Sequence, residues 1–267
     1  MKLLHFLDKY SQPETPNESN AAPASRRSAF RRMGNVARDF AMVGLPLGAA
    51  MLAPRRAYAQ TGSNTVDVLN FALTLEYLEA EFYNMGLDSS GLLTGDTRSV
   101  VEQIAKHEDA HVEFLKSAIS GSGGDPVDKP SFDFTASGTF SDVFSNPVTF
   151  LALAQAFEDT GVRAYKGQAG NLIMTPDILT AALQIHSVEA RHASQIRRIR
   201  GSKGWITQAE NTSAPAADAV YAGEGQTTQL GVDVTSVSSV GSDGITESFD
   251  EPLDQMAVLD IAGLFIE

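Results

Sequence analysis

Ile104-Ala105-Lys106-His107-Glu108-Asp109-Ala110-His111-Val112-Glu113-Phe114-Leu115 is the stretch on which the fold turns. Read at helical period, it aligns Ile104, Glu108, His111 and Leu115 on one stripe that continues back to Val100. A carboxylate and an imidazole therefore interrupt a face that is otherwise apolar. The same device recurs between Pro176 and Arg200, where Ile178, Ala182, Ile185, Glu189, His192 and Ile196 align and Glu189 again precedes a histidine by three residues. An i, i+3 pair projects from one helical face with a rise of about 4.5 Å, which suits two donors closing on one ion.

Two further segments have the same period. Thr65 to Gly86 sets Leu69, Ala72, Leu73, Glu76, Ala80 and Tyr83 on one face, and Asn84-Met85-Gly86 reads as its stop. The segment from Asn146-Pro147 to about Gly167 aligns Phe150, Leu151, Ala154, Glu158, Val162 and Tyr165, with Pro147 where a first helical turn tolerates it. Asp96 to Ser120 bounds the first-quoted helix and ends in Gly121-Ser122-Gly123-Gly124. Gly201 closes the fourth helix after an Arg-rich last turn that suits the helix dipole. About ten residues join helices one and two, and a similar stretch joins three and four, which favours two antiparallel hairpins. Residues 121 to 146, rich in Gly, Pro, Ser, Asp and Phe, are long enough to cross the bundle between them. The expected fold class is all-α: a four-helix bundle over residues 60–200 with one long crossover between helices two and three.

Each helix carries one glutamate in its apolar stripe. Left ionised and unpaired in a core, each would cost several kcal/mol, so all four demand a counter-charge. One Glu from each of two helices plus Glu-x-x-His from each of the other two matches the known ligand pattern of di-iron and di-manganese carboxylate bundles. The expected metal ligands are Glu76, Glu108, His111, Glu158, Glu189 and His192. Four carboxylates neutralise two divalent ions, and bridging carboxylates hold such ions roughly 3.5 to 4 Å apart. The chain has no cysteine, so oxygen and nitrogen donors remain, a set that suits iron or manganese.

The chain resembles the ferritin-like superfamily, especially its exported branch labelled desiccation-related. The resemblance runs from Thr65 to Arg200. It is carried by Leu75-Glu76-Tyr77-Leu78-Glu79-Ala80-Glu81-Phe82-Tyr83, His107-Glu108-Asp109-Ala110-His111, Phe157-Glu158-Asp159-Thr160-Gly161-Val162 and Val188-Glu189-Ala190-Arg191-His192, and again by Phe249-Asp250-Glu251-Pro252. It implies the ferritin-like connectivity, with Glu76 and Glu158 as single-helix ligands and the two Glu-x-x-His pairs as the others.

Residues 1–59 read as a targeting segment. A polar stretch leads to Arg26-Arg27, an apolar run extends from Phe40 to Pro54, and Ala57-Tyr58-Ala59 offers a small-x-small cleavage site. The order resembles a bacterial twin-arginine signal, with Phe30 third after the arginine pair rather than second. Periplasmic or other exported location and passage through the twin-arginine machinery are the expectations. That segment is net basic, so the remainder is more acidic than the formal charge of -13 for the whole chain. Nucleic acid is an unsuitable partner, and no apolar run reaches membrane-spanning length, so no stable membrane anchor is expected.

The remaining residues receive blander readings. Tyr83 and Tyr165 read as core and are given no role. His186 is a candidate to orient a ligand, while His107, about 100 degrees off the stripe, reads as exposed. Asp109, Glu79, Glu81 and Glu113 read as a solvated acidic face. Residues 201–267 form an acidic, loop-rich extension; 201–248 show little helical period, and Met256, Leu259, Leu264 and Phe265 mark a short helix or arm that docks on the bundle. The functional expectation is a di-metal centre reacting with dioxygen or hydrogen peroxide in oxidative or desiccation stress defence, either disproportionating peroxide or acting as an oxidase or ferroxidase. The alternatives are a non-catalytic metal-binding stress or structural protein and, third, a subunit of an iron-storage cage. A homodimer is compatible with the sequence.

Overall fold

The computed structural model describes residues 64–209 and 219–267. The expected targeting segment lies outside these residues, as does part of the C-terminal extension. Four long helices dominate: α1 (Thr65–Asp88), α2 (Gly95–Gly121), α3 (Pro147–Gln168) and α4 (Pro176–Ile199). Asn64 starts α1 with a reciprocal cap, its Oδ1 accepting from the Val66 amide at 3.0 Å while Asp67 accepts from the Asn64 amide at 3.2 Å. Asn146 accepts from the Val148 amide at 3.0 Å ahead of Pro147, and Pro176 opens α4, so both later helices begin where a missing N–H is harmless. Among the described residues no helix is long and apolar enough to cross a membrane.

α1 pairs along its length with α2 and α3 with α4, and the two hairpins meet through α1 against α3 and α2 against α4. This is the expected bundle, with residues 122–146 crossing between α2 and α3. The crossover is anchored at its start by Asn70, which donates to the Asp125 carbonyl at 3.2 Å and accepts from the Val127 amide at 2.9 Å. Farther on it contributes an aromatic layer. Phe134 lies 5.2 Å from Phe82, which stacks on Phe150 at 4.5 Å and meets Phe157 edge-on at 4.9 Å.

Two sequence expectations need correction. α1 does not stop at Gly86 but continues to Asp88, so only residues 89–94 join it to α2. Gly86 serves packing instead: a Cβ there would lie 2.2 Å from the Phe150 ring. The terminal helix, here α6 (Gln255–Ala262), docks through Val258, Ile261 and Ala262, with Phe265 following, whereas Met256, Leu259 and Leu264 face outward. Phe265 meets Phe157 edge-on at 4.9 Å, and the chain end joins the crossover where the Asp133 amide donates to the Phe265 carbonyl at 2.9 Å. The described part of the extension before α6 has ordered elements of its own. It holds a two-residue hairpin, β1 (Thr228–Gln229) with β2 (Val232–Asp233), and the short α5 (Ser242–Thr246).

The extension covers the outer side of α3, which is why that helix is buried almost all round. Arg163 is its main anchor. Fully buried, it pairs with Glu224 at 2.8 Å, donates to the Glu251 carbonyl at 2.7 Å and the Ala222 carbonyl at 2.6 Å, and also reaches the Val220 carbonyl. Beside it the Leu253 amide donates to the Arg163 carbonyl at 3.2 Å. Gly167 permits this contact, since a Cβ there would fall 1.8 Å from the Leu253 carbonyl oxygen. Gly167→Ala should therefore displace the arm and lower stability by about 1–3 kcal/mol, read as a reduced urea midpoint; an unchanged midpoint would show that the arm is not packed this closely.

Candidate metal centre

The six sequence-selected residues come together at mid-height in the bundle. α1 presents Glu76, α3 presents Glu158, α2 presents Glu108 with His111, and α4 presents Glu189 with His192. The four glutamates have no exposed surface. One donor atom from each of Glu76, Glu108, His111 and Glu189 lies within 4.8 Å of the others, and the same holds for Glu108, Glu158, Glu189 and His192. Glu108 and Glu189 belong to both groups. The geometry is thus two adjoining four-donor sites, with one shared carboxylate from α2 and one from α4.

The donors crowd together without satisfying one another. His111 Nδ1 lies 3.1 Å from Glu76, 3.0 Å from Glu108 and 3.2 Å from Glu189, yet one ring nitrogen has at most one proton to give. His192 Nδ1 lies 2.8 Å from Glu108 Oε1 and 3.4 Å from Glu158 Oε2 without hydrogen-bond geometry to either. Glu108 Oε1, Glu158 Oε2, both Glu189 oxygens and His192 Nδ1 are buried and unpartnered. Orphaned buried acceptors are rare in folded proteins, and acceptors aimed at a common space fit cations. The donor set of carboxylates and imidazoles fits two divalent ions of the iron or manganese kind.

Several residues missed in the sequence shape this centre. Tyr83 on α1 donates to Glu158 on α3 at 2.5 Å, and Tyr165 on α3 donates to Glu76 on α1. These tyrosines are not passive core; each crosses the hairpin interface to hold one oxygen of an unshared glutamate. The seven-residue step from each glutamate to its tyrosine carried that signal. His107 is half-buried rather than exposed. Its Nδ1 lies 2.9 Å from His192 Nε2, and Gln103 follows at 2.7 Å on its other nitrogen. An ion on His192 Nδ1 would fix Nε2 as the donor of this bond. A position 100 degrees off the stripe here faces the neighbouring helix as well as water. His186 does not join the site; it is half-buried, its Nε2 has no partner, and its charged neighbours are Lys166 and Asp250.

Glu79 is the largest departure from expectation. It is buried, only 3% exposed, and sits among the site carboxylates rather than on a solvated face. Three residues after Glu76, it shares that residue's face by the same spacing as the Glu-x-x-His pairs. Glu76, Glu79 and Tyr83 on α1 stand in the places that Glu158, Gly161 and Tyr165 hold on α3, so Gly161 faces Glu79. A Cβ on Gly161 would come within 3.2 Å of Glu79 Oε1 and 3.4 Å of Glu189 Oε2, and the missing side chain leaves the space for a fifth carboxylate. Asp109 and Glu113 are on the surface as expected, and Glu81 pairs with Lys129.

Protonation follows from this crowding. Burial, reinforced by neighbouring carboxylates, pushes Glu79 and Glu189 well above the ordinary carboxylate range. Burial likewise lifts Glu76 to about 7 against the pull of His111. Burial also acts upward on Glu108, but the adjacent His111 and His192 imidazoles outweigh it and hold it at about 2. Burial works against charge on the two histidines, yet their carboxylate partners raise His111 to about 12 and His192 to about 11. Without a cation both imidazoles therefore carry a second ring proton near neutrality and are cationic, and those protons must leave before Nδ1 can ligate.

Fold and site together define a four-helix carboxylate bundle able to bind metal. The ferritin-like domain family model matches residues 64–202, more than half of the chain, and the chain belongs to that family. No curated protein matches it. Uptake of manganese(II) or iron(II) by metal-free protein should release more than two protons per chain at neutral pH, from His111, His192 and the raised ligand carboxyls, and strengthen as pH rises. Titration calorimetry in buffers of different ionisation enthalpy measures this, and a heat independent of buffer would contradict the protonation described.

Proposed function

We propose that the chain is an exported di-metal protein that reacts with dioxygen or hydrogen peroxide, in defence against oxidative or desiccation stress. The observation that carries the reading is the sharing of Glu108 and Glu189 by two donor groups in a dry core. A bound iron or manganese pair would supply the electrons. The chain's own residues do the rest. Tyr83 and Tyr165 orient Glu158 and Glu76, while His107 and Gln103 back His192 from outside.

Glu79 adds the feature that favours redox work over simple metal storage. Four carboxylates already balance two divalent ions, so a fifth gives the site charge to spare when the metals become more positive. Burial pushes the Glu79 carboxyl well above the ordinary carboxylate range and so favours its neutral form. Reduction of peroxide to water consumes protons as well as electrons, and a buried acid beside Glu189 is placed to hold and deliver one. Export rests on Arg26-Arg27, the apolar run from Phe40 and Ala57-Tyr58-Ala59, and the absence of thiolate ligands is compatible with an oxidising compartment. Entry into the twin-arginine machinery would let a folded, metal-loaded chain cross.

Elemental analysis of protein purified from its native compartment should give two equivalents of iron or manganese per chain, with turnover of added hydrogen peroxide. Metal that raises the melting temperature without turnover would favour the non-catalytic reading instead. Glu79→Gln should keep both metal equivalents yet slow peroxide turnover by about 100-fold, the scale of a lost proton donor. Unchanged turnover in that variant would remove Glu79 from the chemistry.

A further inference from the structure

Beside the carboxylate cluster, along the bundle axis, lies a cavity of about 260 Å³ to which all four helices contribute. Leu75 of α1, Leu115 of α2, Tyr165 of α3 and Ile185 of α4 form the wall nearest the carboxylates. Farther out, Ala72, Ala118 and Ala182 stand where larger side chains would close the space. The recess opens toward solvent at the helix ends, so its apolar walls are left against water that an apolar occupant would displace. Water is a poor candidate, because the walls are almost wholly apolar and offer it too few partners.

We infer that this cavity binds a neutral, chain-like apolar molecule, alongside whatever the carboxylate cluster holds. An apolar cavity of about 150 Å³ accommodates a six-carbon ring, so this one holds roughly ten carbon atoms. The charge at the site selects the head group. Asp177 is the one charged residue lining the cavity, and it is exposed at the start of α4, so it disfavours a carboxylate head and tolerates a hydroxyl. The rim is apolar too: Phe114 is 44% exposed, and the linker that supplies Leu172 to the lining continues into Ile173 and Met174, which are 65% and 89% exposed. The occupant would rest on the ring of Tyr165, whose hydroxyl donates to Glu76.

The test uses the full chain and 1-octanol as probe, read by titration calorimetry and thermal shift. Saturable binding of one molecule per chain with a raised melting temperature is expected, and sodium octanoate should bind at least tenfold more weakly. Ala182→Phe fills the cavity away from the carboxylates and should weaken 1-octanol at least tenfold with manganese(II) uptake unchanged. Ala118→Leu serves the same purpose should Ala182→Phe fail to fold, as judged by circular dichroism. Absent or non-saturable binding to the natural chain, equal affinity for octanoate, or undiminished binding in a folded cavity-filled variant would each overturn the inference. None of these readings depends on turnover at the metal centre, so failure here and failure of the proposed activity are separately visible.

Discussion

Five carboxylates brought into one water-free region of a helical bundle are the constraint that organises the rest of the molecule. An ionised carboxylate taken out of water without a partner costs several kcal/mol, and neighbours of like sign add to it. His111 and His192 offset part of that charge, and burial favours the neutral forms of Glu79 and Glu189. Cations do the same while also pairing the orphaned oxygens of Glu108, Glu158 and Glu189. The cluster is therefore compatible with cation binding, and such binding would add to the stability of the bundle.

Holding so many donors in register requires the helices not to slide, and buried ion pairs next to the cluster serve that end. Asp159 follows Glu158 on α3, and Arg197 lies just beyond His192 on α4; the two pair at 2.6 Å, both nearly inaccessible. Tyr221 of the extension donates to the same Asp159 carboxylate at 2.8 Å and accepts from Gln155 at 2.8 Å. The C-terminal extension thus reaches the α3–α4 seam beside the ligands. Arg163 fastens it one turn farther along α3. Tyr83 and Tyr165 do for the α1–α3 contact what the Asp159–Arg197 pair does for α3–α4.

Much of this was legible in the chain, for a definite reason. A glutamate or histidine standing in an apolar stripe breaks a strong periodic signal, so Glu76, Glu108, His111, Glu158, Glu189 and His192 could be picked out and the four helices placed within a residue or two. What stayed hidden lacks that contrast. Glu79 sits among Glu76, Glu81 and other polar neighbours, and its burial depends on the missing side chain of Gly161, a pairing between helices that periodicity along one helix does not register. His107 is flanked by α4 on one side, which its own helix does not reveal. Asp159, Arg163 and Arg197 look like ordinary surface charges until residues 219–253 are folded over them. Gly86 resembles a helix stop, but its function is to admit Phe150.

The central claim is that Glu108 and Glu189 are shared by two cations. A crystal structure of the metal-loaded protein, with anomalous differences recorded at the iron and manganese edges, addresses it directly. The account predicts two peaks about 3.5–4 Å apart, each flanked by oxygens of Glu108 and Glu189, with His111 on one and His192 on the other. A single peak, or two that do not share those carboxylates, would contradict it.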